Sequence, residues 1–185
     1  MFRINNFKNL HKFTLNIRKQ NFISSSKLQK KLTLPPLKDE ALRDEVLTHP
    51  STPQNNHHSY KRYCFYGDKV YNYFIARELY NKLPNASNAE LTIRTHQLIS
   101  RSFLAKIATE CGLDKSIKLA KNYPMSDGIL SENVEAQFAL YILNGMEDEM
   151  KRFIADVVDY YFENEVAQEG KIQAKRKNKS PITES

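Results

Sequence analysis

The stretch that decides the fold is Lys-Arg-Tyr-Cys-Phe-Tyr-Gly-Asp-Lys-Val, residues 61–70. It lies inside a predicted helix that runs from about Tyr60 to Leu83 and is ended by Pro84, since proline does not continue a helix. Within this helix Gly67 costs about 1 kcal/mol relative to alanine. A glycine at such a position predicts close packing against another element.

The residues on either side of this stretch indicate a fold made only of helices. Apolar side chains recur at helical spacing, and no convincing alternating strand occurs. We therefore predict the all-α class, with polar loops over residues 52–59 and through Pro124 and Gly128. The first two predicted helices are residues 39–47, capped by Asp39, with apolar positions Leu42, Val46 and Leu47, and residues 60–83, with Phe65, Val70, Tyr73, Phe74 and Leu79. The next two are a helix capped by Asn88, with Leu91 and Ile93, and the segment after Ser100, with Leu104, Ile107, Ala108 and Cys111, which is ended by Gly112. The last two are a helix with Val134, Phe138, Tyr141 and Ile142, ended near Gly145, and residues 147–164, with Met150, Ile154, Val157, Val158 and Tyr161.

The charge of the chain is unevenly distributed around a formal net charge of +7. Residues 1–38 hold nine Lys and Arg and no Asp or Glu, and residues 171–185 hold five Lys and Arg and one Glu, whereas residues 39–170 carry a net charge of −6. Contacts with nucleic-acid phosphate are therefore expected mainly from the two ends. We divide the chain into a basic segment 1–38, a helical domain 39–165 and a basic disordered tail 166–185.

The N-terminal segment has the character of an import signal. Its apolar residues recur at roughly helical spacing between basic ones, and serines follow at 24–26. This pattern is typical of a mitochondrial presequence and lacks the uninterrupted apolar core of a secretory signal. The alternative is a basic arm that contacts RNA, and both apply if cleavage leaves Lys27, Lys30 and Lys31. The prolines at 35–36 predict a linker. No apolar run reaches the length of a membrane span.

Two residue pairs are candidates for chemistry. Cys64 and Asp68 are four residues apart, and Glu132 and Glu135 are three apart, so each pair shares one face of its helix. If the two helices pack together, the carboxylates converge where Mg²⁺, which prefers oxygen ligands, would position water and stabilise phosphoryl charge. Taken alone, most such carboxylate pairs form a solvated helix face.

The sequence around these pairs resembles the ribonuclease III domain family. Residues 61–70 are similar to the family's hallmark E-R-L-E-F-L-G-D-A-V, and they follow Thr48-His49-Pro50-Ser51, which resembles its T-H-P-S element. Together with the matches below, the likeness covers about residues 46–145 and implies the family's helical fold. The further matches, in the same order, are Ala89-Glu90-Leu91-Thr92-Ile93-Arg94 to G-E-L-T-x-L-R, residues 102–108 and 111–113 to N-x-x-L-A-x-I-A-x-x-L-G-L, and residues 126–136 to S-G-G followed by I-L-A-D-A-F-E-A.

The resemblance implies four metal-binding positions, which fall on Cys64, Asp68, Glu132 and Glu135. The first is a thiol, a soft ligand poorly suited to Mg²⁺, and the third is Glu where the family has Asp. Lys61 stands where the hallmark has its first Glu, so we expect an ammonium group that repels a metal and partly replaces its charge. We therefore expect no metal, no cofactor and no catalytic residue. Cys64 is expected to be a small buried hydrophobe rather than a reactive thiol.

The resemblance and the basic ends favour a structural role over a catalytic one. An import segment, a damaged metal site and no following RNA-binding domain resemble the fungal-type mitochondrial large-subunit ribosomal proteins that have this fold. We expect a matrix protein that binds ribosomal RNA and mitochondrial ribosomal proteins, and that forms a heterodimer with a second ribonuclease III-like ribosomal protein. The RNA-binding candidates are Lys27, Lys30, Lys31, Lys175, Arg176, Lys177 and Lys179.

Two other functions stay open. One is an active mitochondrial endonuclease for double-stranded RNA, in which Asp68, Glu132 and Glu135 hold Mg²⁺ with water completing the shell. The other is an RNA chaperone or processing cofactor outside the ribosome. The resemblance also implies dimerisation through the hallmark helix, with core packing as the equal alternative for its aromatic residues. The partner-facing candidates are Tyr63, Tyr66, Tyr71 and Tyr73.

The cysteines and histidines of the chain are expected to have structural roles rather than to bind a metal. Cys64 and Cys111 are far apart in the sequence and are expected to be reduced thiols rather than a disulfide. The histidines show no zinc-ligand spacing and are expected at loops and helix ends. They are His49, His57, His58 and His96.

Overall fold

Helices make up most of the described part of the protein. The computed structural model describes residues 31–53 and 57–177, and the side chains of residues 31–53 and 59–164. Outside the helices of these residues, the one β-type pairing is an isolated parallel bridge between Thr48 and Lys118. The predicted all-α class is confirmed. None of the described helices combines the length and apolar character needed to cross a bilayer. The helices are α1 (Glu40–Leu47), α2 (His57–Lys82), α3 (Asn88–Leu98), α4 (Arg101–Glu110), α5 (Asp127–Leu143) and α6 (Glu147–Lys177), with a 3₁₀ turn at Leu113–Lys115.

Short polar side chains begin four of these helices. Asp39 accepts hydrogen bonds from two backbone N–H groups in the first turn of α1. Ser100 and Ser126 each accept one from the first turn of α4 and α5. Such caps satisfy backbone donors that have no partner inside the helix. Ser87 caps α3 in the same way, which corrects the prediction that Asn88 is the cap.

Two helices end at the glycines that the sequence marked. Gly112 follows α4 with a φ of 76°, and Gly145 follows α5 with a φ of 69°. These left-handed conformations favour glycine, because a Cβ would collide with the backbone. Both predicted helix ends are confirmed.

Helix α5 occupies the centre of the described domain. Residues 129–141 are all buried except Glu132 and Glu135, so the helix is covered on nearly all sides. The most extensive packing is with α2, where the rings of Tyr71 and Phe138 stack at 4.7 Å. The two half-buried glutamates are therefore the positions at which solvent reaches this otherwise buried stretch of α5.

The backbones of α2 and α5 approach each other closely at Gly67. A Cβ on this residue would lie 1.7 Å from the carbonyl oxygen of Glu135 and 3.1 Å from the backbone nitrogen of Ala139. A residue without a side chain is needed for two backbones to come this close. The predicted close packing at Gly67 is confirmed.

The exposed face of α2 differs from the prediction at three aromatic positions. Phe65 and Tyr73 were placed on the buried side of the helix but are 70% and 60% exposed. Tyr73 was also predicted as a partner-facing candidate, and its exposure agrees with that alternative. Tyr71 was predicted as a partner-facing candidate, but it is buried and its hydroxyl donates to the carbonyl oxygen of Leu98 at 3.0 Å. The reason is that contact at Gly67 selects which face meets α5, and helical spacing alone left that choice open. The buried side chains of α2 are Tyr60, Cys64, Tyr71, Phe74, Ile75 and Leu79.

The segment of residues 31–38 packs on the domain, which corrects the predicted linker and domain start. Leu32 and Leu37 are buried. The hydroxyl of Tyr141 on α5 donates to the carbonyl oxygen of Pro35 at 2.8 Å. The prolines do not release the chain into solvent, because the leucines on either side bury apolar surface against the core.

Three helix boundaries also differ from the predictions. Helix α2 begins at His57, inside the predicted polar loop, and α5 begins at Asp127, before the predicted loop residue Gly128. Helix α6 continues past residue 164 to Lys177, so the predicted disordered tail begins within a helix. The polar sequence of that stretch has no apolar stripe, so periodicity did not reveal it. Outside the described residues lie 1–30, 54–56 and 178–185, and with them most of the predicted presequence and the end of the predicted tail.

Replacing Gly67 by alanine is expected to destabilise the domain by about 3 kcal/mol or more, because the methyl group would overlap backbone atoms that cannot rotate away. Gly128→Ala is the matched control, since its Cβ would meet only the Ser126 hydroxyl, at 3.7 Å. The control should be neutral or stabilising by up to about 1 kcal/mol. Urea unfolding followed by circular dichroism measures both, and equal stabilities would contradict the close approach of α2 and α5.

Candidate functional site

The contact between α2 and α5 brings the predicted site residues together. The face of α2 that meets α5 also carries the cysteine and the aspartate of residues 61–70, because residues three and four apart share a helix face. Contacts reach from this face to both half-buried glutamates of α5. The residues assembled here, called the carboxylate cluster below, are Lys61, Cys64, Asp68, Glu132 and Glu135.

Lys61 forms an ion pair with Glu132 across the two helices. Its Nζ donates to Oε1 at 2.8 Å and to Oε2 at 2.7 Å, so both carboxylate oxygens are engaged. The side chains are 55% and 35% exposed. Solvent screens such a pair, but the ammonium group still lies where it competes with a metal ion for both oxygens.

Cys64 is buried beside this ion pair. Its Sγ donates to the backbone carbonyl oxygen of Glu132 at 3.3 Å. Burial, followed by the nearby charges of Glu132 and Glu135, raises the pKa of the thiol to about 12. Without a metal ion beside it, a thiol with this pKa stays protonated at neutral pH, and a protonated thiol is a poor nucleophile. The prediction that Cys64 is a small buried residue is confirmed.

Asp68 is held by two residues of its own helix. Its Oδ2 accepts from Lys69 Nζ at 2.6 Å, and its Oδ1 accepts from the Asn72 amide at 2.8 Å. Lys69 is itself exposed, so its contribution is screened by water. Both oxygens of Asp68 nevertheless have a donor within the protein.

Glu135 is a half-buried carboxyl group that lies near the charges of two other carboxylates. Burial is the largest cause, and the charges of Asp68 and Glu132 add to it, raising the pKa of Glu135 to about 7. The positive charges of Arg101 and Lys61 lower the pKa only in part. A carboxyl group in this position is partly protonated at neutral pH.

Three supporting side chains were missed by the sequence analysis. Asn72 lies four residues after Asp68, so helical spacing could have indicated it. Asn133 is fully buried and its amide donates to the carbonyl oxygen of Val46 at 2.7 Å, which ties the end of α1 to α5. An amide between two glutamates in an apolar helix was a usable signal. Arg101 comes from another helix, and no sequence pattern connects it with Glu135.

The Thr48-His49-Pro50-Ser51 element has a structural role, because it forms hydrogen bonds to the segment that precedes α5. The backbone of His49 donates to the carbonyl oxygen of Lys118 at 3.0 Å, and the Ser51 hydroxyl accepts from the backbone of Ala120 at 3.1 Å. The His49 ring is buried, with Nδ1 accepting from the Ser51 backbone at 3.0 Å. Its position agrees with the structural interpretation of this histidine.

The donor set of the carboxylate cluster does not suit a Mg²⁺ ion. Mg²⁺ requires oxygen ligands in near-octahedral geometry. Here the Cys64 thiol stands at one of the four positions implied by the resemblance, and the Lys61 ammonium group donates to the carboxylate of Glu132. Within the described residues, no three His, Cys, Asp or Glu side chains are arranged to hold a metal ion.

The predicted RNA-binding residues fall largely where side chains are not described. Lys31 is described, and it is exposed. Lys175, Arg176 and Lys177 lie on the last turns of α6. Lys27, Lys30 and Lys179 lie outside the described residues. Both cysteines are free thiols, as predicted.

The described residues thus form a helical domain in which α2 and α5 bring the carboxylate cluster together. The family model of ribonuclease-III-like domains matches residues 39–161, and the chain belongs to this family. The chain is 33% identical over 130 residues to Ribonuclease 3 of Bartonella bacilliformis, covering 68% of this chain and 55% of that protein. It is 31% identical over 122 residues to Ribonuclease 3 of Agrobacterium fabrum, covering 63% and 51%. The chain thus spans about half the length of the curated relatives it matches.

Solved structures agree with this assignment. Dicer from Pichia stipitis has 28% sequence identity and a TM-score of 0.56, over 73% of this chain and 61% of that one. The nuclease domain of ribonuclease III from Campylobacter jejuni has 24% identity and a TM-score of 0.58, over 67% and 89%, and shares the fold. The resemblance inferred from the motifs is confirmed.

The raised pKa of Glu135 predicts a pH-dependent stability. Between its ordinary value of 4.5 and its folded value of about 7, the folded state keeps a proton that the unfolded state releases. The free energy of unfolding therefore falls as pH rises through this window and levels off above it.

Glu135→Gln removes this titration and should flatten the dependence, leaving the variant more stable relative to wild type at pH 8 than at pH 5. Urea unfolding at the two pH values measures the difference, with the exposed Glu40→Gln as control. An unchanged pH profile in Glu135→Gln would show that Glu135 titrates normally.

Proposed function

We propose that this protein is a catalytically inactive ribonuclease III-like domain that serves as a structural protein of the mitochondrial large ribosomal subunit. The single observation that carries the loss of activity is the ion pair in which Lys61 engages both carboxylate oxygens of Glu132. An ammonium group held against this carboxylate repels a metal ion and competes with it for the same oxygens.

The chemistry of phosphodiester cleavage supports this proposal. A divalent cation would generate the attacking hydroxide and stabilise the charge on phosphate, and it needs several fixed oxygen ligands to do so. Cys64 supplies no oxygen, and the carboxylate of Asp68 already accepts from Lys69 and Asn72. Shifts of about 1 Å in such a site cost orders of magnitude in rate.

The charge distribution supports RNA binding through the ends of the chain. Residues 39–170 carry a net charge of −6, whereas residues 1–38 and 171–185 are strongly basic. Long basic segments contact phosphate without a fold of their own, and displaced counterions make this binding salt-dependent. The acidic domain then contacts protein, while the basic ends contact ribosomal RNA. The N-terminal segment also supports import into the mitochondrial matrix.

A row of exposed aromatic residues on α2 supports a protein partner. Phe65, Tyr73 and Tyr80 are 70%, 60% and 71% exposed, and Tyr66 is 40% exposed. Large exposed aromatic surface of this kind is typical of an interface. The Campylobacter structure concerns a region of that protein involved in dimer formation. We propose a heterodimer with a second ribonuclease III-like ribosomal protein, in which this face of α2 is covered.

The alternative function is a mitochondrial double-stranded-RNA endonuclease. It is favoured by the Ribonuclease 3 relatives and by the convergence of Asp68, Glu132 and Glu135 in one cluster. It would require Mg²⁺ to displace Lys61 from Glu132.

Cleavage of duplex RNA in Mg²⁺ or Mn²⁺ separates the two functions. The wild-type protein is expected to cleave at least about a hundredfold more slowly than a Lys61→Glu, Cys64→Glu variant, which restores two acidic positions. Lys82→Glu is a control for added negative charge outside the cluster. A wild type as fast as the restored variant would mean that three carboxylates suffice.

Sedimentation of mitochondrial lysate in moderately high salt tests the ribosomal role. Loose phosphate contacts weaken steeply with salt, so an integral protein stays with the large subunit while a weakly bound one leaves it. We expect co-migration with the large subunit. Migration as free RNA complexes would favour a chaperone or processing cofactor, and migration as a small free dimer would favour the endonuclease.

A further inference from the structure

We infer that Lys61 has taken over the electrostatic role of a divalent cation in the carboxylate cluster, so that the protein's own ammonium group holds the cluster together and keeps divalent cations out. This inference deepens the proposed function and rests on it. Beyond the proposed loss of catalysis, it gives Lys61 a role of its own, which is to hold the side chain of Glu132 in position.

The geometry of the pair carries the first step. Lys61 lies on α2 and Glu132 on α5, so the contact joins the two helices that form the main packing of the domain. Nζ lies within hydrogen-bond distance of both oxygens, at 2.8 and 2.7 Å. A single cation placed between two carboxylate oxygens binds them as a metal ion in bidentate coordination would.

The need for a positive charge carries the second step. Glu132 and Asp68 both raise the pKa of Glu135, which shows that the three carboxylates act on one another. Like charges on two packed helices disfavour the packing unless a cation lies among them. Lys61 places this cation between the two helices, in direct contact with Glu132.

Exclusion of other cations follows from the same position. A divalent ion approaching Glu132 would meet the Lys61 ammonium at short range and would have to displace it from both oxygens. The site lies at the surface, where the Lys61 side chain is 55% exposed, so access is not prevented by burial. Divalent cations are therefore excluded by the charge of Lys61 and by its contacts with the Glu132 oxygens, not by the shape of the site.

Mn²⁺ binding to the full chain tests this inference without measuring cleavage. Free Mn²⁺ is followed by electron paramagnetic resonance during titration of wild type, Lys61→Met, Lys61→Arg and Lys82→Met. Lys61→Met removes the charge and should bind Mn²⁺ about tenfold or more tightly than wild type. Lys61→Arg keeps a cation that pairs well with carboxylates and should bind as weakly as wild type.

Lys82→Met is the matched control. Lys82 also lies on α2 and pairs with Asp159 of another helix, outside the cluster. It should leave Mn²⁺ affinity unchanged. In parallel, Mn²⁺ should raise the melting temperature of Lys61→Met and of no other variant, while a chelator leaves the wild type unaffected.

Tight Mn²⁺ binding by the wild type overturns the inference, whether or not Lys61→Met folds. A folded Lys61→Met that binds no more tightly than wild type also overturns it. Cleavage and ribosome association are measured separately. A wild type that binds Mn²⁺ tightly, cleaves no duplex RNA and co-migrates with the large subunit contradicts this inference alone, whereas a wild type that cleaves contradicts the proposed function.

Discussion

The backbone contact between α2 and α5 at Gly67 is the constraint on which the rest of the structure depends. The carbonyl oxygen of Glu135 lies where a side chain at this position would be. Because Cys64 lies one turn earlier and Asp68 is the next residue, the contact sets both against the glutamates of α5. It also turns Phe65 to solvent. One glycine thereby fixes the carboxylate cluster on one side of α2 and the exposed aromatic face on the other.

The cluster differs from a metal site in how its charges are balanced. In a metal site the ion is the largest local charge and sets the pKa of its ligands. Here Lys61 balances Glu132 and Lys69 balances Asp68, each through direct hydrogen bonds. Glu135 keeps a pKa near 7, because burial and its neighbours outweigh the more distant cations. Glu132 and Asp68 are thus each compensated by a lysine, whereas Glu135 is not.

The sequence predicted what depends on local pattern, and it failed where tertiary contact decides. Helical periodicity, the glycine ends of α4 and α5 and the burial at Gly67 follow from neighbouring residues. The orientation of α2 does not, since Phe65 and Tyr73 fit an apolar stripe as well as the residues that are buried. The packing of residues 31–38 was missed because prolines usually mark linkers, whereas Leu32 and Leu37 bind the core. Motif spacing placed the cluster, but the donors to Asp68 and the influence of Arg101 depended on side-chain positions.

The proposed loss of metal chemistry is compatible with an intact fold, because different residues are responsible for each. Residues 129–141 of α5 are buried through apolar packing, and only the two half-buried glutamates interrupt that surface. A thiol in the place of a carboxylate adds a small buried side chain with a hydrogen bond to the backbone of α5. An ammonium in the place of another adds the missing positive charge. The thiol removes one carboxylate from the family's set of four, and the ammonium group reduces the repulsion among the three carboxylates that remain. Such a helix pair suits the proposed role, in which RNA and protein are contacted through the basic ends and the outer faces of the domain.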